Sequence, residues 1–123
     1  MTDASGVHHW YIPDAFIPTV STGGEVSHES ICVLNPTDAD AVLTITVYFA
    51  DVEPRTSAPI TLPARRDAHL RTSIPEQVGG LELEKGVPYG IEVASSADLQ
   101  VQYSRLDTTQ AAYTLMTAMP TPR

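Results

Sequence analysis

A chain of 123 residues has the size of one ordinary domain, so a single core spanning residues 1–123 is expected. Hydrophobic residues make up 42% and charged residues only 18%, with Thr, Ser, seven glycines and ten prolines in the balance, a mixture that favours short strands and turns over long helices. The formal charge of −8 repels nucleic acid and anionic lipid at long range, and no apolar run approaches the ~18 residues that span a bilayer, so nucleic-acid binding and direct membrane insertion are not expected.

The sole cysteine, Cys32, has no partner for an internal disulfide, and no apolar leader opens the chain, so a cytoplasmic location is expected. Met1 to Val7 is polar and reads as loose. His9-Trp10-Tyr11-Ile12 reads as a short strand closed by Pro13, and Pro18 with Gly23-Gly24 marks an irregular connection. From Ser27 to Asn35, Ile31 and Val33 share one face while Cys32 and Leu34 share the other. Two apolar faces predict a central strand buried on both sides, with Cys32 as an inert core residue.

Asn35 to Asp40 (NPTDAD) is a turn, because Pro36 presets φ and the Asn and Asp side chains can close it. The clearest strand follows: Ala41, Leu43, Ile45, Val47 and Phe49 share one face, opposed by Thr44, Thr46 and Tyr48. Ala50 to Pro54 turns, Ile60-Thr61-Leu62 is a short strand, and Asp67 to Thr72 alternates with Ala68 and Leu70 inward. A loop from Pro75 to Gly86 leads into the strand Tyr89 to Val93, and Leu99, Val101 and Tyr103 form the apolar face of another. Ala111 to Met119 is apolar on both faces, could be strand or helix, and is ended by Pro120 and Pro122. Roughly eight strands spaced by turns about every ten residues predict an all-β antiparallel β-sandwich or jelly roll.

Four segments carry a family pattern: SHESICVLNPTDADA (Ser27 to Ala41), YFADVEP (Tyr48 to Pro54), LPARRDAHLR (Leu62 to Arg71) and VQYSRLDTTQ (Val101 to Gln110). Together, in order and spacing, they resemble the sensory rhodopsin transducer family, and Trp10 and Pro13 fit its amino-terminal pattern. The resemblance runs from Trp10 to Gln110. It implies a cytoplasmic β-sandwich that assembles as a homotetramer and relays a signal from a membrane photoreceptor. For members in bacteria that are not obviously phototrophic, it implies a sugar-related binding role.

Arg65, Asp67, His69 and Arg71 point the same way if the chain is extended there. Four of the seven basic residues, Arg65, Arg66, Arg71 and Arg105, lie in the signature segments. In an acidic protein that clustering can form an anion or sugar-hydroxyl site, because guanidinium groups present fixed forked donors. The plainer reading is that these arginines pair with carboxylates within or between subunits.

Arg105 shares parity with Leu99, Val101 and Tyr103, and a buried Arg without a partner is too costly to persist. Either the strand ends or bulges at Ser104, or Arg105 meets a carboxylate such as Asp107, at a subunit boundary or with a ligand. His28 either caps a strand end or joins a ligand site. Trp10 and Tyr11, with Tyr48 and Tyr103 behind them, could offer flat faces to a sugar, although Trp10 can equally pack into the core or an interface.

No catalytic constellation emerges. Ser27-His28-Glu29 cannot form a triad alone, since strand neighbours point to opposite faces. Asp51 and Glu53 lie in a turn where solvated acids are ordinary, and Gly79-Gly80 lacks the following Lys-Ser/Thr of a phosphate loop. His8-His9 and His28-Glu29 do not have metal-ligand spacing. The expected protein therefore has no enzyme activity, cofactor or metal. It is an oligomeric binding or signalling module with a protein partner; the alternative is a small carbohydrate- or anion-binding protein using the arginine and histidine cluster. The two apolar faces of Ala111 to Met119 invite subunit contact.

Overall fold

The computed structural model describes residues 8–120, so the expectations for Met1 to Val7 and for Pro122 lie outside the described residues. Nine strands build two antiparallel sheets: β1 (His8–Ala15), β2 (His28–Asn35), β3 (Ala41–Tyr48), β4 (Arg55–Thr56), β5 (Ile60–Leu62), β6 (Arg66–Arg71), β7 (Tyr89–Ser95), β8 (Gln100–Asp107) and β9 (Thr114–Ala118). A 3₁₀ turn at Pro75–Gln77 is the helical element among the described residues. The first sheet runs β1-β7-β3-β4, with β5 also pairing to β3; the second runs β6-β2-β8-β9.

The alternation from Ala41 onward explains the centre of the first sheet. Ala41, Leu43, Ile45 and Val47 are all buried and face Ile31, Val33, Val101 and Tyr103 of the second sheet in one hydrophobic core. Each large aliphatic side chain so buried contributes about 1.5–3 kcal/mol. The turn after β2 closes as its composition predicts. Asn35 Nδ2 donates to the Ala39 carbonyl at 2.9 Å, and Asn35 Oδ1 accepts from the Thr37 amide at 3.0 Å. Gly79 has φ +60° and lies so close to the loop after β4 that a Cβ would stand 2.5 Å from the Ala58 carbonyl oxygen, so only glycine fits.

The structure departs from the sequence pattern in particular places. β2 is buried on one face only: Leu34 is 45% exposed and Cys32 half-buried. β2 lies between β6 and β8, and the outer face of its sheet is only partly covered. Burial still raises the Cys32 thiol pKa, with Asp67 nearby adding to the effect. β1 runs through Pro13 to Ala15, because it is an edge strand and its register shifts between Ile12 and Ala15, where no ladder amide is required of proline. Phe49 falls just beyond β3 and is half-buried. β4 has only two residues, too few to show a period. The ambiguous run near the carboxyl end is the strand β9, paired to β8 from Tyr103↔Ala118 to Asp107↔Thr114.

Candidate functional site

The outer face of β6 carries Asp67, His69 and Arg71, opposite Leu34, Cys32 and Ser30 of β2. His69 Nε2 lies 3.3 Å from Asp67 Oδ2. Arg71 keeps its Nε buried with no hydrogen-bond partner among the described residues, while its amide donates to Gln77 Oε1 at 2.8 Å. Arg65 does not join them. It sits before the strand with φ +59°, and its guanidinium reaches Asp38 Oδ1 at 3.4 Å in open solvent. Arg66 has the opposite parity and donates to the Arg65 carbonyl at 3.1 Å. The cluster of four read from the sequence is thus a cluster of three.

His28 does cap a strand end: its Nδ1 lies 2.7 Å from the Val26 carbonyl oxygen. Trp10 is turned into the core at 3% exposure, so it presents no flat face to a sugar. Tyr103 is likewise buried, and of these four aromatics only Tyr11 and Tyr48 are exposed.

Arg105 points inward, and β8 neither ends nor bulges at Ser104. Arg105 does meet a carboxylate, Asp14 rather than Asp107, within a network that sequence reasoning missed, centred on the fully buried Glu29. Glu29 is paired in register with Arg105 across β2 and β8. Tyr103 donates its hydroxyl hydrogen to Glu29 Oε2, the Phe16 amide donates to the same oxygen at 3.1 Å, and Thr72 Oγ1 donates to Oε1 at 2.7 Å. Arg105 Nε donates to the Tyr103 hydroxyl at 3.2 Å, and its Nη2 reaches the Asp14 carbonyl oxygen at 3.3 Å and Oδ1 at 3.5 Å. Because Tyr103 accepts from Arg105, its own hydrogen is committed to Glu29. A polar chain therefore leads from exposed Asp14 to a carboxylate inside the sandwich.

Burial raises the Glu29 pKa above its ordinary 4.5, although Tyr103, Thr72 and the Phe16 amide pull the other way. Burial and the Glu29 charge push the Tyr103 phenol well above its usual range. For Arg105, burial alone would lower the pKa, but Tyr103, Asp14 and Glu29 overcome it and raise it.

A second carboxylate cluster lies on the outer face of the first sheet. Glu92 Oε2 meets His9 Nδ1 at 2.5 Å and accepts from the Tyr11 hydroxyl at 3.3 Å, while Tyr48 donates to Oε1. Partial burial tends to raise Glu92, but Tyr48, His9 and Tyr11 outweigh it and lower the pKa. The Glu92 hydrogen bond pushes the Tyr48 phenol up to about 12. Beside this cluster, Tyr11, Pro13, Tyr48, Phe49 and Gly90 line a groove of about 500 Å³. Phe49 is also a wall of a larger cleft of about 880 Å³, bordered by Asp51, Glu53, Glu82 and Glu84.

Among the described residues no group of three or more His, Cys, Asp or Glu could hold a metal ion, and no helix is long and apolar enough to cross a membrane. The architecture is that of a small antiparallel β-sandwich, and solved structures share it. The crystal structure of Thermotoga maritima 1070 is similar at TM-score 0.82 and 34% identity, over 94% of each chain. The Anabaena sensory rhodopsin transducer is similar at TM-score 0.65 and 31% identity, over 77% of this chain and 92% of its own. The family model of the Anabaena sensory rhodopsin transducer matches residues 5–122, and the chain belongs to that family. No curated protein matches it.

Proposed function

We propose that the chain is a non-catalytic, oligomeric signalling module of the cytoplasm, a homotetramer that relays a signal through a protein partner. Membership of a transducer family over residues 5–122 supports the relay. The observation that carries the oligomer is β9. It closes the second sheet as an open edge strand, with Leu115 69% exposed and Met119, just beyond it, 66% exposed. An unprotected apolar edge is a template for pairing with another copy.

Sedimentation equilibrium at micromolar concentration tests the assembly: a tetramer is expected, and a strict monomer overturns it. Sedimentation with Anabaena sensory rhodopsin in detergent micelles tests the partner. Saturable binding is expected, and its absence at the highest attainable concentration removes the photoreceptor as partner.

A second reading is a small anion or sugar held on the outer face of β6. It rests on Arg71, whose buried Nε has no partner among the described residues, next to His69 and Asp67. A ligand at ~100 times its dissociation constant adds ~2.7 kcal/mol. A thermal-shift screen of inorganic phosphate and simple sugars should show stabilisation that Arg71→Met removes; no shift at millimolar ligand overturns this reading.

A further inference from the structure

The groove on the outer face of the first sheet is shaped for a ring rather than for a polar molecule. Tyr11 of β1 and Tyr48 of β3 stand on either side of β7. Gly90, the register partner of Tyr48, leaves the floor beside Tyr48 open, while Glu92 lies in register with Tyr11. Both tyrosine hydroxyls already donate to Glu92, and the His9 ring stacks with Tyr11, so what the lining offers a ligand is chiefly aromatic and apolar surface. A sugar would need convergent polar groups that this lining spends on itself. Flat aromatic walls over an open floor suit proline rings of an extended polyproline II segment, which loses little conformational entropy on binding.

Charge complementarity supplies the other half of the argument. Where the groove ends at Phe49, the neighbouring cleft begins, with Asp51, Glu53, Glu82 and Glu84 around it against Arg55. Arg55 is itself laid on the Phe49 ring, 5.2 Å from its centroid. Four carboxylates facing one engaged guanidinium favour cationic side chains, in a chain of net charge −8.

We infer that this continuous surface docks an extended basic segment of a partner protein, with a proline between Tyr11 and Tyr48 and lysines or arginines among Asp51, Glu53, Glu82 and Glu84. The inference gives the chemistry of the partner in the relay reading, and rests on that reading only in taking the partner to be a protein. Cytoplasmic segments of membrane proteins are enriched in Lys and Arg, so a receptor's inner face would present suitable charge.

The test uses a fluorescein-labelled decapeptide of alternating Lys and Pro and measures anisotropy at low salt. Saturable binding is expected, weakening by about tenfold when Gly replaces Pro and lost when Glu replaces Lys. Tyr48→Ala and the double variant Glu82→Gln/Glu84→Gln change exposed groups, and each should weaken binding by about tenfold. No saturable binding, or equal binding by the wild type and both variants, overturns the inference. A changed sedimentation coefficient in either variant also overturns it, by assigning the groove to a second copy of the chain. Rhodopsin binding that survives in variants unable to bind the peptide overturns the inference while leaving the relay reading intact.

Discussion

Glu29 accepts one tyrosine hydroxyl and Glu92 two, each with further donors beside them, yet their acidities move in opposite directions. Glu29 lies inside the sandwich with Tyr103; Glu92 lies on an outer wall with Tyr48 and His9. Donor number does not separate them, since each carboxylate receives three. The difference is solvation. Inside, the loss of water outweighs the hydrogen bonds; outside, the same kind of bonds outweigh a smaller loss. A buried carboxylate joined to Arg105 through Tyr103 is thus governed by its desolvation, while a partly buried one on the outer wall organises surface aromatics.

The sharpest way to break this comparison is to delete each carboxylate. Glu29→Ala leaves the Tyr103 and Thr72 hydroxyls and the Phe16 amide without an acceptor inside the core and should cost about 3 kcal/mol in urea unfolding. Glu92→Ala frees donors that water can reach and should cost about 1 kcal/mol. Equal losses would mean that solvation does not distinguish the two sites.

Arg105→Leu sharpens the comparison by removing the charge that faces Glu29 while keeping an apolar stem. Tyr103 loses a donor and the tie to Asp14 is gone, for an expected loss of about 1.5 kcal/mol. A neutral or stabilising outcome would show that the desolvation of Arg105 outweighs its bonds, as replacing whole buried ion networks by apolar residues sometimes does.

How much of this was legible depended on whether the signal was local. The faces of β3 and β8 follow from alternation alone, and so did the anomaly of Arg105. Glu29 carried the same signal, sharing parity with Ile31 and Val33, but its meaning needs the β2–β8 register that sets it opposite Arg105. Register is a long-range property, and no turn joins β2 to β8. Cys32 and Leu34 misled for a related reason: an apolar face shows what could be buried, not what the chain has available to cover it. Glu92 and Tyr48 come from strands far apart in sequence, so their cluster had no local trace.

The pH dependence of stability should separate the two carboxylates next. Glu29 binds a proton more tightly in the folded state, so between 4.5 and its raised pKa stability falls as pH rises. Glu92 binds a proton less tightly in the folded state, so between its lowered pKa and 4.5 stability falls as pH drops. Taken together these two groups place a stability maximum near pH 4.5. In urea titrations from about pH 3 to pH 7, the advantage of wild type over Glu29→Gln should grow on acidification, and its advantage over Glu92→Gln should shrink. Parallel curves for the two variants would remove the opposition between the sites.

The smallest effect on stability belongs to Tyr48→Phe. Tyr48 is 40% exposed, and Glu92 keeps His9 and Tyr11 when the hydroxyl is lost, so the cost should be about 0.5 kcal/mol. Its spectroscopic effect is larger. The Glu92 carboxylate holds the Tyr48 hydroxyl hydrogen and pushes that phenol up to about 12, so the alkaline absorbance titration should contain a step there that Tyr48→Phe lacks. Glu92→Gln should bring the same step down towards the ordinary value of 10, because a neutral amide neither holds the proton as strongly nor repels the phenolate. If the step stays in place when Glu92 is neutralised, the hydrogen bond is not its cause, and the outer cluster loses the electrostatic character that sets it against the inner one.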